Sequence, residues 1–378
     1  MADIGIVGAG PLGLATALLL HRQGQAVRIF DARAADAPLT ESRVLALSEG
    51  SRQILRSIDA WPERLCTPIR HIHVSQQGAP GRTLMDAAEH GLAALGYVLP
   101  ARDLIVMLRR KVEAEGIPLH FASPVETLLP DAHGIVLRIA GEDRPQEHYC
   151  SLALCCEGSV RNAKDMLTHD YRQRALLCRA SIAAPHNNLA YERFTPAGPV
   201  ALLPLGQDYA VVWTRALDEA DALLDAPDAD WLAALQTHFG TRVRFTGISE
   251  RASYPLALKM RVNTVGERTV WLGNAAQTLH PVAGQGLNLA LRDAWELADA
   301  LREASDPGAA SVLRAYGRGR QLDRFAAAGF SDALIRTFGS SLPGLPFVRG
   351  LGLAALDALP PLRRFLARRM IYGARALP

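Results

Sequence analysis

DIGIVGAGPLGLATALLLHRQGQAVRIFD, residues 3–31, holds a strand, a glycine turn, a helix and a second strand in immediate succession. Asp3 to Val7 is short and apolar. Gly8-Ala9-Gly10-Pro11-Leu12-Gly13 follows and opens an apolar stretch that runs to Leu20. Val27 to Phe30 forms the second strand and ends on Asp31, 23 residues beyond Gly8. Each part has a physical reason. Gly8 permits a tight turn, Gly10 lets a pyrophosphate approach the backbone, and Gly13 lets the helix pack on the strand. The acid at the strand end accepts from ribose hydroxyls. A glycine motif between a strand and a helix, with an acid at the next strand end, predicts dinucleotide binding.

A second glycine loop lies late in the chain, in TVWLGNAAQTLHPVAGQGLNLALRD, residues 269–293. Thr269 to Leu272 is strand-like, Gly273-Asn274 turns, and Gly284-Gln285-Gly286 precedes a helix. Leu287, Leu291, Ala294, Leu297 or Ala298, and Leu301 recur at helical spacing, while Arg292, Asp293, Glu296 and Asp299 lie elsewhere on the wheel. The loop has little side-chain bulk, so backbone N–H groups at the helix start are open to an anion.

A dinucleotide unit alone does not separate FAD from NAD. The pairing of the first motif with Gly273-Asn274, His280-Pro281 and Gly284-Gln285-Gly286 does, because it resembles the single-component FAD aromatic-ring hydroxylases of the para-hydroxybenzoate hydroxylase fold. Within them the chain is most similar to the 2-polyprenyl-6-methoxyphenol hydroxylase family of ubiquinone biosynthesis. Glu41-Ser42-Arg43 before Leu45-Ala46-Leu47, Arg102-Asp103-Leu104, the run Gly198 to Pro204, and Tyr254 to Ala257 extend the likeness along nearly the whole chain. One motif departs. Where relatives carry Asp-Gly-x-x-Ser-x-x-Arg, this chain reads Glu157-Gly158-Ser159-Val160-Arg161-Asn162-Ala163-Lys164, with Arg161 in the place of the Ser. The departure bears on pyridine-nucleotide contact and leaves the FAD motifs untouched.

The resemblance implies non-covalent FAD, NAD(P)H as a transient co-substrate, O₂, and hydroxylation of a polyprenylated methoxyphenol through a flavin C4a-hydroperoxide. It implies cofactor contacts at Gly8, Gly10, Pro11, Leu12, Gly13, Asp31, Arg43, Arg102, Gly273, Asn274, Pro281, Gly284, Gln285, Gly286, Leu287 and Asn288. His280 is a weak candidate for a general base, since a lone His before Pro is more often a loop hydrogen-bonder. No second glycine motif follows, so no separate NAD(P)H domain is expected. Two other readings stay open at this point. One is a flavin-dependent reductase of the same fold, the other a non-catalytic flavoprotein subunit of a ubiquinone-biosynthesis assembly.

The expected fold class is α/β. A Rossmann-like FAD-binding domain is assigned to residues 1–70, 97–168 and 264–335, and an inserted β-sheet substrate domain to 71–96 and 169–263. C-terminal helices are assigned to 336–378. Ser51 to Ile58, Arg102 to Glu115 and Asp228 to Phe239 read as helices. Ile135 to Ile139 and Tyr149 to Cys156 read as strands returning to the first domain.

At 378 residues, 49% hydrophobic and 21% charged, the chain can bury large cores. Its 41 basic residues against 38 acidic give no excess suited to nucleic acid. Cys66, Cys150, Cys155, Cys156 and Cys178 form no C-x-x-C pair, so no metal site is expected, and reduced thiols in a reducing compartment are. No signal peptide is expected ahead of a strand that begins at residue 3, and no stretch reads as a spanning helix. Residues 339–378 carry six arginines against Asp357 alone, interleaved with leucines and phenylalanines and broken by prolines. Short amphipathic helices are expected there. Two readings stay open for them: a packed terminal helix pair covering the FAD domain, or a segment that rests on an anionic membrane surface or on other ubiquinone-biosynthesis proteins, placing a cytoplasmic protein at the inner face of a membrane.

Overall fold

Ile4–Val7 is apolar at every position because it is buried on both faces, as the central strand of a parallel sheet must be. A computed structural model describes residues 3–39, 42–141, 144–157, 165–340, 342 and 344–373. In it the order across a six-stranded sheet is Val265–Gly266, Thr269–Trp271, Leu152–Cys155, Ile4–Val7, Val27–Phe30 and Leu119–His120. Neighbours run parallel except at the Val265–Gly266 edge. The helices among the described residues are α1 (Pro11–Arg22), α2 (Glu49–Ser57), α3 (Ala101–Ala114), α4 (Leu217–Asp225), α5 (Asp228–Phe239), α6 (Gln285–Leu301), α7 (Ala310–Gly339), α8 (Leu345–Ala358) and α9 (Pro360–Tyr372). Helix α1 is buried along most of its length between the sheet, α3 and α6, which accounts for its nearly uniform apolar character.

The second sheet has eight strands, in the order Gln277–Thr278, Phe245–Arg261, Met166–Ile182, Asp208–Ala216, Gly198–Leu205, Leu189–Thr195, His71–Gln76 and Arg82–Asp86. One face is covered by α4 and α5, whose Trp231, Leu235 and Phe239 pack with Trp213 and Tyr209 of the sheet. The opposite face, through Ala201, Leu203, Val212 and Thr214, lines a cavity.

Several local expectations are corrected. Ile135–Ile139 does not join the parallel sheet. It is the middle strand of a three-stranded antiparallel sheet with Val125–Pro130 and Gln146–Cys150. Its Ile135, Leu137 and Ile139 all point to one side and cover Val7, Phe30 and Ala153, which is what strict alternation demands of a half-buried strand. The run from Tyr149 to Cys156 accordingly splits, because Gln146–Cys150 belongs to this cover and Leu152–Cys155 to the parallel sheet. The 168/169 boundary falls inside the continuous strand Met166–Ile182, and Gln277–Thr278, placed by sequence in the first domain, pairs with the second sheet. Helix α4 was not anticipated.

Helices α6 and α7 are joined by buried charge. Arg320, 1% exposed, holds Asp293 at 2.6 Å, Glu296 at 2.7 Å and Asp323 at 2.6 Å. Arg324 donates to Gln277 at 2.5 Å and to the Arg261 carbonyl at 2.7 Å, and Arg292 reaches Asp323 at 3.3 Å. Prolines open α8 and α9, as the sequence predicts for short helices. The Gln285 side chain reaches the Met370 carbonyl of α9 at 3.4 Å, and Arg363 pairs with Glu89 at 2.8 Å. No single described helix is long and apolar enough to cross a membrane, and α8 and α9 together are bent by 96°.

Candidate active site

The two glycine motifs open on one cavity of about 1000 Å³. At the first, Gly8 has φ +105, and a Cβ there would lie 3.1 Å from the Cys156 carbonyl, so the turn admits only glycine. A Cβ on Gly13 would fall 1.9 Å from the Gly8 oxygen, so Gly13 serves the packing of α1 on its strand and does not line the cavity. Gly10, the N-cap of α1, has nothing within 4 Å of the place where a Cβ would stand. Pro11 occupies the first turn and no side chain caps the helix, so its leading N–H groups are left for a ligand.

The second motif repeats this geometry. Gly284 caps α6 at φ +60, again with no side-chain cap, and Gly286 has open space where a Cβ would stand. Gly273, Asn274, Pro281, Gly284, Gly286 and Leu287 all line the same cavity as Gly8, Gly10, Pro11, Leu12, Asp31 and Arg43. A buried Asp31 carboxyl would be pushed up by desolvation, yet it is held below the usual carboxylate range by the Arg33 side chain and by the N–H groups of Arg33 and Ala9. Arg33, not singled out from sequence, thus engages the carboxylate that was expected to meet a ribose.

Besides Gly13, three expected cofactor contacts, Arg102, Gln285 and Asn288, are not at the wall, and neither is the candidate base His280. Arg102 follows Ala101 on α3, and while Ala101 and Ile105 face the cavity, the Arg102 side chain is 63% exposed and lies 3.9 Å from Asp103. Gln285 points to α9, as described. Asn288 is 2% exposed and satisfied entirely by protein. Its Oδ1 accepts from the Ser48 N–H at 2.8 Å and the Ser51 hydroxyl at 2.6 Å, and its Nδ2 donates to the carbonyls of Ala46 at 2.9 Å and Gly284 at 2.7 Å. Asn288 therefore clamps the α6 N-terminus to the strand Val44–Ser48 and to α2. His280 is 1% exposed, accepts from the Val282 N–H through Nδ1, and has its edge against Tyr171 at 5.3 Å. Burial pushes its pKa down to about 4, so it is neutral, and it does not line the cavity. The geometry gives it a structural place. Residues 158–164, which carry the departure around Arg161, and Glu41 lie outside the described residues.

Beyond the glycine loops the cavity continues as an apolar chamber between the second sheet and helices α7, α8 and α9. Phe194 of the sheet stacks on Phe338 of α7 at 3.8 Å, and Leu353, Leu366 and Met370 close the helical side. Glu192 and Thr83 stand in the sheet wall. Sequence reading passed over both. The one available signal was a Glu on the inward, otherwise apolar side of the alternating strand Leu189–Thr195.

A parallel sheet whose first glycine turn shares a cavity with a second, late helix N-terminus, under an inserted antiparallel sheet, defines a flavoprotein of the ring-hydroxylase fold. The comparisons with known proteins agree. Residues 1–328 match the family described as FAD binding domain. Ubiquinone hydroxylase UbiL of Rhodospirillum rubrum is 30% identical over 97% of this chain and 89% of its own length. The 3-demethoxyubiquinol 3-hydroxylase of Escherichia coli K12 is 29% identical over 96% of each chain. The crystal structure of p-nitrophenol 4-monooxygenase PnpA from Pseudomonas putida superposes with a TM-score of 0.78 at 15% identity, covering 100% of this chain and 99% of that one, and so shares the fold. The chain belongs to this FAD-binding family of flavoprotein monooxygenases.

The residues fit FAD. Two uncapped helix N-termini, each with a glycine face open to the cavity, offer donors and partial positive charge to an elongated anion. No cysteine lines the cavity near a glycine loop with a lowered pKa. Cys156 alone is at the wall, and burial raises its thiol, so non-covalent binding suits the site.

Proposed function

We propose that this protein is a FAD-dependent monooxygenase that hydroxylates a polyprenylated methoxyphenol in ubiquinone biosynthesis, using NAD(P)H and O₂. The observation that carries the reading is the continuity of the cavity. The glycine cradle suited to FAD runs without a partition into an apolar chamber able to take a ring and the start of a prenyl chain. The names of the ubiquinone hydroxylase relatives support a phenolic substrate.

FAD, when bound, would supply the redox chemistry that links NAD(P)H and O₂ to oxygenation of the ring. The chain's own residues do the rest. The α1 N-terminus and the open face of Gly10 would hold the pyrophosphate. The α6 N-terminus, held in place by Asn288, favours negative charge on the reduced ring system. Phe194, Phe338, Leu353 and their neighbours exclude water from the reacting ring. The test is the purified protein itself. It is expected to be yellow, to release FAD on denaturation, and to convert a short-chain 2-prenyl-6-methoxyphenol to a product heavier by one oxygen with matching consumption of NAD(P)H and O₂. NAD(P)H oxidation without O₂ uptake would point to a reductase, and FAD that stays oxidised under excess NADH and NADPH would remove the enzymatic reading.

We infer further that α8 and α9 rest on the cytoplasmic face of an anionic membrane. Phe347, Val348 and Leu351 of α8, with Leu362 and Phe365 of α9, are exposed, and Arg364, Arg368 and Arg369 stand exposed beside them. The inner face of α9 carries Leu366 and Met370 into the cavity wall. One helix thus touches both the chamber and the surface from which a lipid-dissolved phenol would come.

A further inference from the structure

The wall of the substrate chamber contains a carboxyl that its surroundings do not account for. Three described acidic residues line the cavity: Asp31, Glu157 and Glu192. Asp31 is tied to Arg33 and Ala9. The Glu192 carboxyl, in the middle of the strand Leu189–Thr195, has no hydrogen bond and no ion pair with any described residue. A carboxylate half-buried in a largely apolar wall without a partner is costly, and a protein retains one for a reason other than stability.

Sheet register fixes what surrounds it. Thr83 pairs with Val74, Val74 with Glu192, Glu192 with Ala201, and Ala201 with Val212, so these residues form one cross-strand row on the cavity face. Neighbours in such a row stand about 5 Å apart. The residues flanking Glu192 are small or aliphatic, and Ala190 precedes it on the inward face, which leaves open space above the carboxyl. Beyond them, Phe194 is stacked under Phe338. Thr83, two strands away, is 2% exposed, and its hydroxyl has no hydrogen-bond partner among the described residues. One row of the chamber therefore holds two polar groups without partners in an otherwise apolar wall.

We propose that Glu192 receives the phenol O–H of the substrate and takes its proton as the ring is hydroxylated, with Thr83 as a second polar contact to the ring's oxygen substituents. This assignment rests on the monooxygenase reading above. The step balances. The phenol O–H bond breaks, the proton joins a Glu192 oxygen, and the electron pair stays on the phenolate oxygen. Electron density rises at the carbons ortho and para to it, where the electrophilic oxygen from the O₂ and NAD(P)H chemistry forms its C–O bond. The displaced ring proton leaves to solvent, and Glu192 returns its own proton to the product's oxygen, so the residue ends as it began. Removal from water pushes the Glu192 carboxyl up to about 7, which brings it nearer to a phenol, ordinarily about 10. The other titratable or charged groups at this cavity are Asp31, Arg33, Arg43, Glu157 and the Cys156 thiol, raised by burial, at the cofactor end, Tyr191 next along the strand, and Arg349 on α8, bound to the carbonyls of Thr337 and Phe338. His73 lies on the far side of the sheet against Tyr191. Asp31 is shifted down and Tyr191 up, so neither changes charge near pH 7.

The experiment uses the FAD-loaded full chain, wild type, Glu192→Gln, Glu192→Asp and Thr83→Val, with a short-chain 2-prenyl-6-methoxyphenol and its O-methyl ether as probes. Calorimetry gives the Kd of each probe, and product formation gives kcat against pH. Wild type is expected to bind the phenol more tightly than the ether, and Glu192→Gln to lose that discrimination while retaining FAD. Hydroxylation by Glu192→Gln is expected to fall about 100-fold, within the usual range for a lost general base. In wild type kcat should decline as pH drops through about 7, because the carboxyl must be ionised to accept the proton, and the Gln variant should lack that limb. Glu192→Asp, which keeps the carboxyl, should restore part of the rate and the limb, and covers the case in which Gln disturbs folding. Glu192→Gln hydroxylating at the wild-type rate with the same acid limb, or wild type binding phenol and ether equally, overturns the assignment. Wild type that discriminates between the probes but forms no product leaves the contact standing and removes the functional reading instead.

Discussion

Asn288→Ala should weaken both the fold and the hold on FAD, through a side chain that need not touch the cofactor. The four hydrogen bonds of Asn288 tie the α6 N-cap to the Val44–Ser48 strand and to α2, at a position 2% exposed. Truncation leaves the Ser48 N–H and the carbonyls of Ala46 and Gly284 without this partner. The Ser51 hydroxyl has Ser48 Oγ as a weak alternative at 3.5 Å. With a net of about 1 kcal/mol per bond, and more where a buried group is orphaned, the loss comes to about 3–5 kcal/mol. The assay is urea unfolding followed by tryptophan emission, run beside FAD retention on gel filtration. FAD affinity should fall at least tenfold, because the Gly284–Leu287 backbone loses its anchor to the opposite wall. Asn288→Asp separates the effects, since it keeps the acceptor and loses both donors. A change in stability below about 1 kcal/mol with wild-type FAD retention would refute the clamp.

Gly10→Val should abolish FAD retention and leave the chain folded, because nothing in the protein stands within 4 Å of the added Cβ and the side chain enters the cavity; unchanged FAD affinity would make the loop merely structural. Changing Arg364, Arg368 and Arg369 to Gln should reduce co-sedimentation with anionic liposomes roughly 100-fold at low salt, at about 1 kcal/mol per arginine. Arg363 is left out because it is buried against Glu89, and equal binding by both proteins would remove the membrane surface from the picture. His280 is neutral in the fold with its pKa at about 4, against an ordinary 6.5, so the unfolded chain binds more protons in between. Stability should therefore decline as pH falls from about 6.5 towards 4, and His280→Phe should flatten that decline. A variant with the wild-type acid dependence would show that the burial of His280 is not its source.

What was legible in the sequence was what local spacing controls. The turn at Gly8, the packing role of Gly13, the apolar period of α6 and the proline breaks before α8 and α9 all follow from neighbours a few residues apart. The gathering of both glycine loops on one cavity was legible through family resemblance. Long-range register was not. Ile135–Ile139 has the composition of any buried strand, and only its partners reveal that it covers the parallel sheet rather than joining it. Arg102 sits beside wall residues in sequence, yet a helix turns successive residues by 100°, and that rotation carries it to solvent. Asn288 was identified for the right loop and the wrong contact, since its partners Ala46, Ser48 and Ser51 lie about 240 positions upstream. Glu192 shows in the sequence only as a Glu on the otherwise apolar side of an alternating strand, and its lack of a partner among the described residues is set by the fold.

The charge cluster between α6 and α7 restricts how those helices can diverge. Arg320 holds the carboxylates of Asp293, Glu296 and Asp323 at once, so exchanging it alone leaves three acids, two of them fully buried, without that cation. Loss of one partner from such a buried pair is worth about 3–5 kcal/mol, whereas a joint replacement by apolar residues of like volume is close to neutral. Drift at this seam must therefore proceed by concerted exchange. Grafting α7 from a distant relative onto this α6 should fail where grafting both helices together succeeds.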